Sequence, residues 1–355
     1  MHYCLLRIVR AFPLLCAATL AWAAVAANAA MLYTPEELQG LPAEGAAWEA
    51  VVRYARQPIQ PNLSDQDDGS NVSTLALAMY AVRTGDESAA ARVREIIRGV
   101  QGTEAGARSL AVGRELAAYV ISADLVGLDA AEDARFRRWL QGINDRDFQG
   151  RTLRSTHEDR PNNWGTHAGA SRIAVAAYLE DDEEIALAAH VFRGWLGELD
   201  GWRGFRFGET WWQPEGSLSY GINPAGAMIQ GRSVDGVLPD DQRRSGHFRW
   251  PPPRENYVYE GLQGAITQAL LLERQGYDPW EWGDKALLRA FLWLDEQADY
   301  PAEGDDTWMP HVINHIYGTE LPAPSPSRPG KGMGFTDWTH SAISGGVPRP
   351  PSVGR

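Results

Sequence analysis

Residues 160–167 read Arg-Pro-Asn-Asn-Trp-Gly-Thr-His and gather two carboxamides, an indole and an imidazole just ahead of an alanine-rich run. A helix start needs one capping side chain, which Asn162, Asn163 or Thr166 can supply. The groups left over are suited to chemistry: amides donate hydrogen bonds to anionic oxygens, and imidazole moves protons near neutral pH. A second concentration follows between residues 232 and 259, where Arg232, Arg243, Arg244, Arg249 and Arg254 lead up to Tyr257 and Tyr259, with His247 among them. Guanidinium groups fork carboxylates, and a phenol can donate or accept a hydrogen bond beside them. The plain structural alternative is a solvated loop in which these arginines pair with Asp235, Asp240 and Asp241.

Aromatic residues crowd the same region. Of the 14 tryptophans, Trp202, Trp211, Trp212 and Trp250 stand with Tyr220 among glycines and prolines between Gly201 and Glu255. Flat aromatic faces beside amides and arginines suit sugar rings bearing hydroxyls and carboxylates, so Trp164, Trp211 and Trp212 are candidate sugar contacts. The net charge of −13 opposes nucleic acid or an anionic membrane as partner, without excluding a local basic cleft.

Residues 1–30 carry Arg7 and Arg10, a short apolar run and Ala27-Asn28-Ala29, which together read as a signal peptide and predict a periplasmic or secreted protein. Both cysteines, Cys4 and Cys16, fall in that segment, so no disulfide or thiol nucleophile is expected beyond it. His311 and His315 have the i, i+4 spacing of a metal pair but no evident third ligand. Helix packing is the expectation there, with no metal and no cofactor.

The elements that must position these groups are helical. Amphipathic segments closed by glycine or a turn recur from Thr34-Pro35 to about residue 300, and strand-like alternation is almost absent. Helices of 12 to 20 residues in antiparallel succession predict an all-α fold, an (α/α) toroid or incomplete α/α barrel, as a single domain over residues 31–340. A compact helix bundle would not need the long loop section from Gly201 to Glu255. Residues 341–355, rich in proline and glycine, are expected to be disordered.

The sequence resembles the alginate lyase-like polysaccharide lyases, which fold as α/α toroids. The resemblance rests on "NNWGTHAGASRIAVAAYL", on "SVDGVLPDDQRR" followed by "ENYVYEGLQGAITQALLL", and on "WMPHVINHIYGTELP". Many relatives carry Asn-Asn-His-Gly-Thr-Trp in the first motif; here tryptophan (Trp164) and histidine (His167) have exchanged places, as in a distinct subgroup close to lyases of β-1,4-glucuronan. Three residues apart on one helix, His167 and Trp164 share a face, and His167 can reach the same cleft from a turn deeper.

The resemblance implies β-elimination on an anionic polysaccharide, glucuronan (cellouronate) or mannuronate-rich alginate, by a monomer. Charge building on the C6 carboxylate calls for amides and a cation, roles suited to Asn163 with Asn162 and to Arg254 or Arg244. C5–H and O4 lie on one face in β-linked glucuronate and mannuronate, so one tyrosine can serve both proton transfers. The relatives' catalytic tyrosine opens a helix after an Asp-Gly-x-x-Pro…Arg segment, which Tyr257 matches best and Tyr259 next. The implied catalytic set is Tyr257, His167, Asn163 and Arg254; Asn162, Trp164, Arg244, Tyr259, His247, Trp211 and Trp212 are the implied substrate contacts. The competing readings are an inverting glycoside hydrolase, which would draw on a pair such as Glu209, Glu215, Asp235, Glu255 or Glu260, and a non-catalytic sugar-binding protein.

Overall fold

The structure, a computed structural model, describes residues 30–341 and 346–350. The expected signal segment up to residue 29, with both cysteines, lies outside the described residues. The chain is all-α, built from α1 (Pro35–Gly40), α2 (Ala46–Ala55), α3 (Ser70–Thr84), α4 (Glu87–Val100), α5 (Ser109–Val126), α6 (Ala130–Leu140), α7 (Leu153–Asp159), α8 (Asn163–Leu179), α9 (Asp182–Leu196), α10 (Pro239–Gln242), α11 (Asn256–Arg274), α12 (Trp282–Glu296), α13 (Met309–Tyr317) and α14 (Thr336–Thr339). Strand is confined, among the described residues, to one antiparallel ribbon of β1 (Met228–Ile229) and β2 (Arg232–Ser233). None of these helices is long and apolar enough to cross a membrane.

Local chemistry sets the helix ends as the sequence predicts. Thr34 and Glu37 close a capping box around α1 with Pro35 in its first turn, and Gly85 ends α3 in the left-handed region at φ 68°. The short α7 carries no amphipathic signature, and the sequence does not announce it. Residues 346–350, within the tail expected to be disordered, lie against the body: the Val347 amide donates to Thr339 O at 2.7 Å and Arg349 pairs with Glu273 at 2.7 Å. A short ion pair and a backbone hydrogen bond fix a segment that could not pack a core by itself.

The centre of the molecule is α8, buried on nearly every side and packed between α5 and α11. Such a helix cannot be amphipathic, and its small residues Gly165, Ala168, Gly169 and Ala170 let its neighbours approach closely. A Cβ on Gly113 of α5 would stand 2.9 Å from Ala168 N, and one on Gly264 of α11 would stand 2.4 Å from the Thr166 carbonyl carbon. The pairings advance together along the chains. Gly113 meets Ala168 and Ala117 N donates to Ser171 Oγ; Gly264 meets Thr166 while Gly169 meets Gln268. The three helices are therefore parallel, with their N-termini at one end. Next to α5 lies α3, whose Asn71 Nδ2 reaches Arg114 O at 3.4 Å. α4 and α9 connect back between members of this row.

The one charge buried in α8, Arg172, is fully enclosed and answered by Glu184 of α9 at 2.6 Å and Glu158 of α7 at 3.1 Å, as a buried guanidinium must be.

Overpacking fixes the first expected outcome. Gly264→Ala forces α11 away from α8 and should cost about 1–3 kcal/mol of stability, read as a lowered urea midpoint at unchanged slope; an unshifted midpoint would show that the contact has slack.

Candidate active site

The parallel N-termini of α8 and α11 bring the two chemical clusters of the sequence together, and a single short segment ties them. α10 and the 3-10 turn Arg243–Ser245 that follows it lie over both helix starts. From α10, Asp240 Oδ2 accepts from Asn162 Nδ2 at 2.9 Å and Asp241 Oδ1 accepts from the Asn163 amide at 3.3 Å. From the turn, the Arg244 guanidinium lies over the Tyr257 ring, 4.2 Å from its centre. Glu255 caps α11 by accepting from the Tyr257 amide at 3.2 Å, and this holds Tyr257 at the mouth, where it is 40% exposed despite its size.

The site residues separate into those open to a ligand and those consumed by the fold. Asn163 is buried, yet its Nδ2 donates to none of the described residues. Arg244 is exposed and meets no carboxylate within ion-pair distance among the described residues. Trp164 is partly exposed with Arg160 over its ring at 5.8 Å, and His247 lies on Trp211 with ring centres 3.9 Å apart.

Four of the expected site residues have partners within the fold. Trp212 is wholly enclosed, packs edge-on to Phe248 and Trp293 and donates to Gly246 O at 2.9 Å, so it anchors the long loop from inside. Tyr259 is buried and gives its hydroxyl to Tyr300 O at 2.6 Å; two residues along the helix from exposed Tyr257 it turns into the core, and burial pushes its phenol far up. Asn162 is spent capping α8, accepting from Trp164 N–H, and on Asp240. Arg254 turns outward to Asp299 and Glu303 and stacks on Tyr300, leaving Arg244 as the arginine free at Tyr257. The Asp235 carboxylate pairs with Arg289 of α12, so of the acids weighed as loop partners only Asp240 takes an arginine of the stretch, Arg243 at 2.9 Å. His311 Nε2 donates to Pro324 O at 3.0 Å, and His315 stacks edge-on with His340, so both histidines have partners within the fold.

His167 lies a turn below Asn163, buried, with its Nε2 unpaired and 4.0 Å from Glu260 Oε2. Burial, and then the charges of Arg114 and Lys331, hold its imidazole well below its ordinary pKa, so it is neutral at pH 7. Glu260 is raised by burial and bound by Arg114, while Lys331 spans Asp67 at 3.2 Å and Asp305 at 3.6 Å. Arg114 and Lys331 are not marked in the sequence, because they come from segments distant from both clusters; Glu260, weighed there only as a hydrolase acid, lies three residues after Tyr257 on α11. An open depression of 530 Å³ elsewhere, lined by Arg94, Arg98 and Glu132, includes none of these groups.

Comparison with known proteins finds a family model that matches part of the chain. Residues 66–200 match the family model described as Alginate lyase. The match spans α3 to α9 and includes Asn162, Asn163, Trp164 and His167, but stops short of Arg244 and Tyr257. It bears out the resemblance to alginate lyase-like polysaccharide lyases and supports polysaccharide lyase activity in general. No curated protein and no solved structure matches the chain.

A buried neutral His167 has a signature in stability. Its folded pKa lies below the ordinary 6.5, so the unfolded chain takes up the proton first; the stability involved is complete above pH 6.5 and is lost as pH falls below it. Unfolding free energy should therefore drop less between neutral and mildly acidic pH in His167→Gln than in the unaltered protein. An equal drop would mean that the folded imidazole titrates freely.

Proposed function

We propose, from an alginate lyase-like domain as premise, that the chain is a polyuronate lyase cleaving β-1,4-linked glucuronan or mannuronate-rich alginate by syn β-elimination. The observation that carries this reading is the stack of Arg244 on exposed Tyr257, joined through α10 to the free carboxamide of Asn163. A hydrolase needs two carboxylates flanking a bond with room for water. The mouth between α8 and α11 offers instead a phenol, a cation and an amide, the groups that elimination uses.

In this reading the row of helices is an incomplete α/α toroid, and the positive ends of the parallel helices α5, α8 and α11 face an anionic chain. That local field offsets the acidity of the protein as a whole. The uronate carboxylate takes hydrogen bonds from Asn163 Nδ2 and Arg244, which stabilise the charge that develops on it. The Tyr257 oxygen, with Arg244 over its ring, acts as the base that takes the C5 proton. The C–H electron pair becomes the C4=C5 double bond as C4–O4 breaks, and O4 leaves with the proton that Tyr257 has just gained. The products are a new reducing end and a 4,5-unsaturated uronate, and Tyr257 is returned to the state in which it began. His167, neutral and a turn deeper, shapes the floor. Trp164 and the Trp211–His247 stack offer faces to neighbouring sugar rings. The expected signal segment makes the periplasm or the exterior the place of action.

Incubation with glucuronan, polymannuronate and polyguluronate should raise the ultraviolet absorbance of the conjugated uronate on at least one of the first two. Tyr257→Phe should abolish it, Asn163→Ala should lower turnover about a hundredfold, and Tyr259→Phe should leave it nearly intact. New reducing ends without absorbance would make the protein a hydrolase, and binding without either would make it a carrier.

A further inference from the structure

Asp240 and Asp241 are neighbours on α10, and both are turned onto the start of α8, yet their surroundings differ sharply. Asp240 is supplied with three donors: Asn162 Nδ2 at 2.9 Å, the Gly208 amide at 2.7 Å and Arg243 Nε at 2.9 Å. Asp241, 1% exposed, has one, the Asn163 amide at 3.3 Å. Its other oxygen, Oδ2, is buried without a partner against α11, so close to Gly261 that a Cβ there would come within 2.6 Å of it. An ionised carboxylate in that setting would stand desolvated, next to a second negative charge, with one donor for two oxygens.

The same few residues have too many acceptors. Asn163 Oδ1 and Gln242 Oε1 are also buried and unpaired. A proton on Asp241 converts one orphaned acceptor into a donor, and Asn163, already bonded to Asp241 through its amide, offers the acceptor for it.

We propose that Asp241 is a positioning residue acting as a neutral acid: one oxygen accepts the Asn163 N–H, the other donates to the Asn163 carboxamide oxygen, and Asn163 Nδ2 is thereby left aimed at the substrate carboxylate. This rests on the reading of Asn163 as the carboxylate-binding amide. A carboxamide can flip, and in the flipped state it would present its oxygen to an anion; a donor on Oδ1 removes that state. An uncharged Asp241 also adds no repulsion to the charge that grows on the uronate. Burial and the Asp240 charge, with a smaller push from Glu255, hold Asp241 well above the usual carboxylate range, while the Asn163 amide and Arg244 pull against them.

Asparagine at 241 keeps an acceptor and a donor in the shape of the neutral acid, whereas alanine keeps neither. Asp241→Asn should hold kcat on a cleaved polyuronate within about threefold, and Asp241→Ala should lower kcat about thirtyfold or more with KM much less affected. Equal damage in both variants would mean that an ionised carboxylate is required, and an undamaged alanine variant would mean that Asp241 only packs. Infrared difference spectroscopy of Asp241→Asn against the unaltered protein covers an alanine variant that fails to fold. A protonated-carboxyl band present at neutral pH and lost in the variant supports the proposal; no band lost overturns it. That reading needs no turnover, so a protein without lyase activity would sink the proposed function and still leave the state of Asp241 decided.

Discussion

The site depends on how closely α8 can be approached from both sides. Gly113 and Gly264 let α5 and α11 come within reach of its backbone at the level of Thr166 to Ala168, and the parallel run of the three helices then brings their N-termini to one end. A larger residue at Gly264 would carry Tyr257 away from Asn163, and one at Gly113 would push α5 off α8. Small residues here act on function through geometry: they set the distance between two helix starts that share no sequence neighbourhood.

Convergence of helix starts also creates an electrical problem that the surrounding side chains resolve. Three positive helix ends in one place favour an anion, and acidic side chains surround them: Asp240 and Asp241 at α8, Glu255 at α11, Glu260 beneath them. Three of the four are held by devices of their own. Asp240 is saturated with donors, Glu255 is a cap, and Glu260 is bound by Arg114. Arg244 has no carboxylate within ion-pair distance among the described residues, and it sits on the exposed phenol.

Much of the fold is legible in the sequence because helix caps and amphipathic periods are local. Thr34-Pro35, the Asp129–Glu132 capping box and the glycines after α3 and α9 mark ends where the structure has them. α8 is legible for a different reason, since a helix made of glycine, alanine and small polar residues tells of close packing rather than of an exposed face. The clusters at 160–167 and 232–259 announce chemistry through residue type, but type does not say which member faces the cleft. Tyr257 and Tyr259 look equivalent in the chain; the Glu255 cap fixes the phase that leaves one at the mouth and buries the other. Trp211 and Trp212 divide in the same way, by alternation of a loop whose inner residue is tied to Gly246.

What the sequence conceals is the meaning of its acids. Asp240 and Asp241, read along the chain, are natural partners for the arginines beside them, and one of them is: Arg243 goes to Asp240. The other forms no ion pair among the described residues and accepts from one amide, and that asymmetry between adjacent, identical side chains arises only when α10 is laid across α8 and α11. Identical groups acquire opposite tasks by environment, a charged anchor in one case and a hydrogen-bonding spacer in the other. The functional value of the segment lies in that division, because the anchor fixes where α8 begins and its neighbour bears on how the first side chain of that helix meets a ligand.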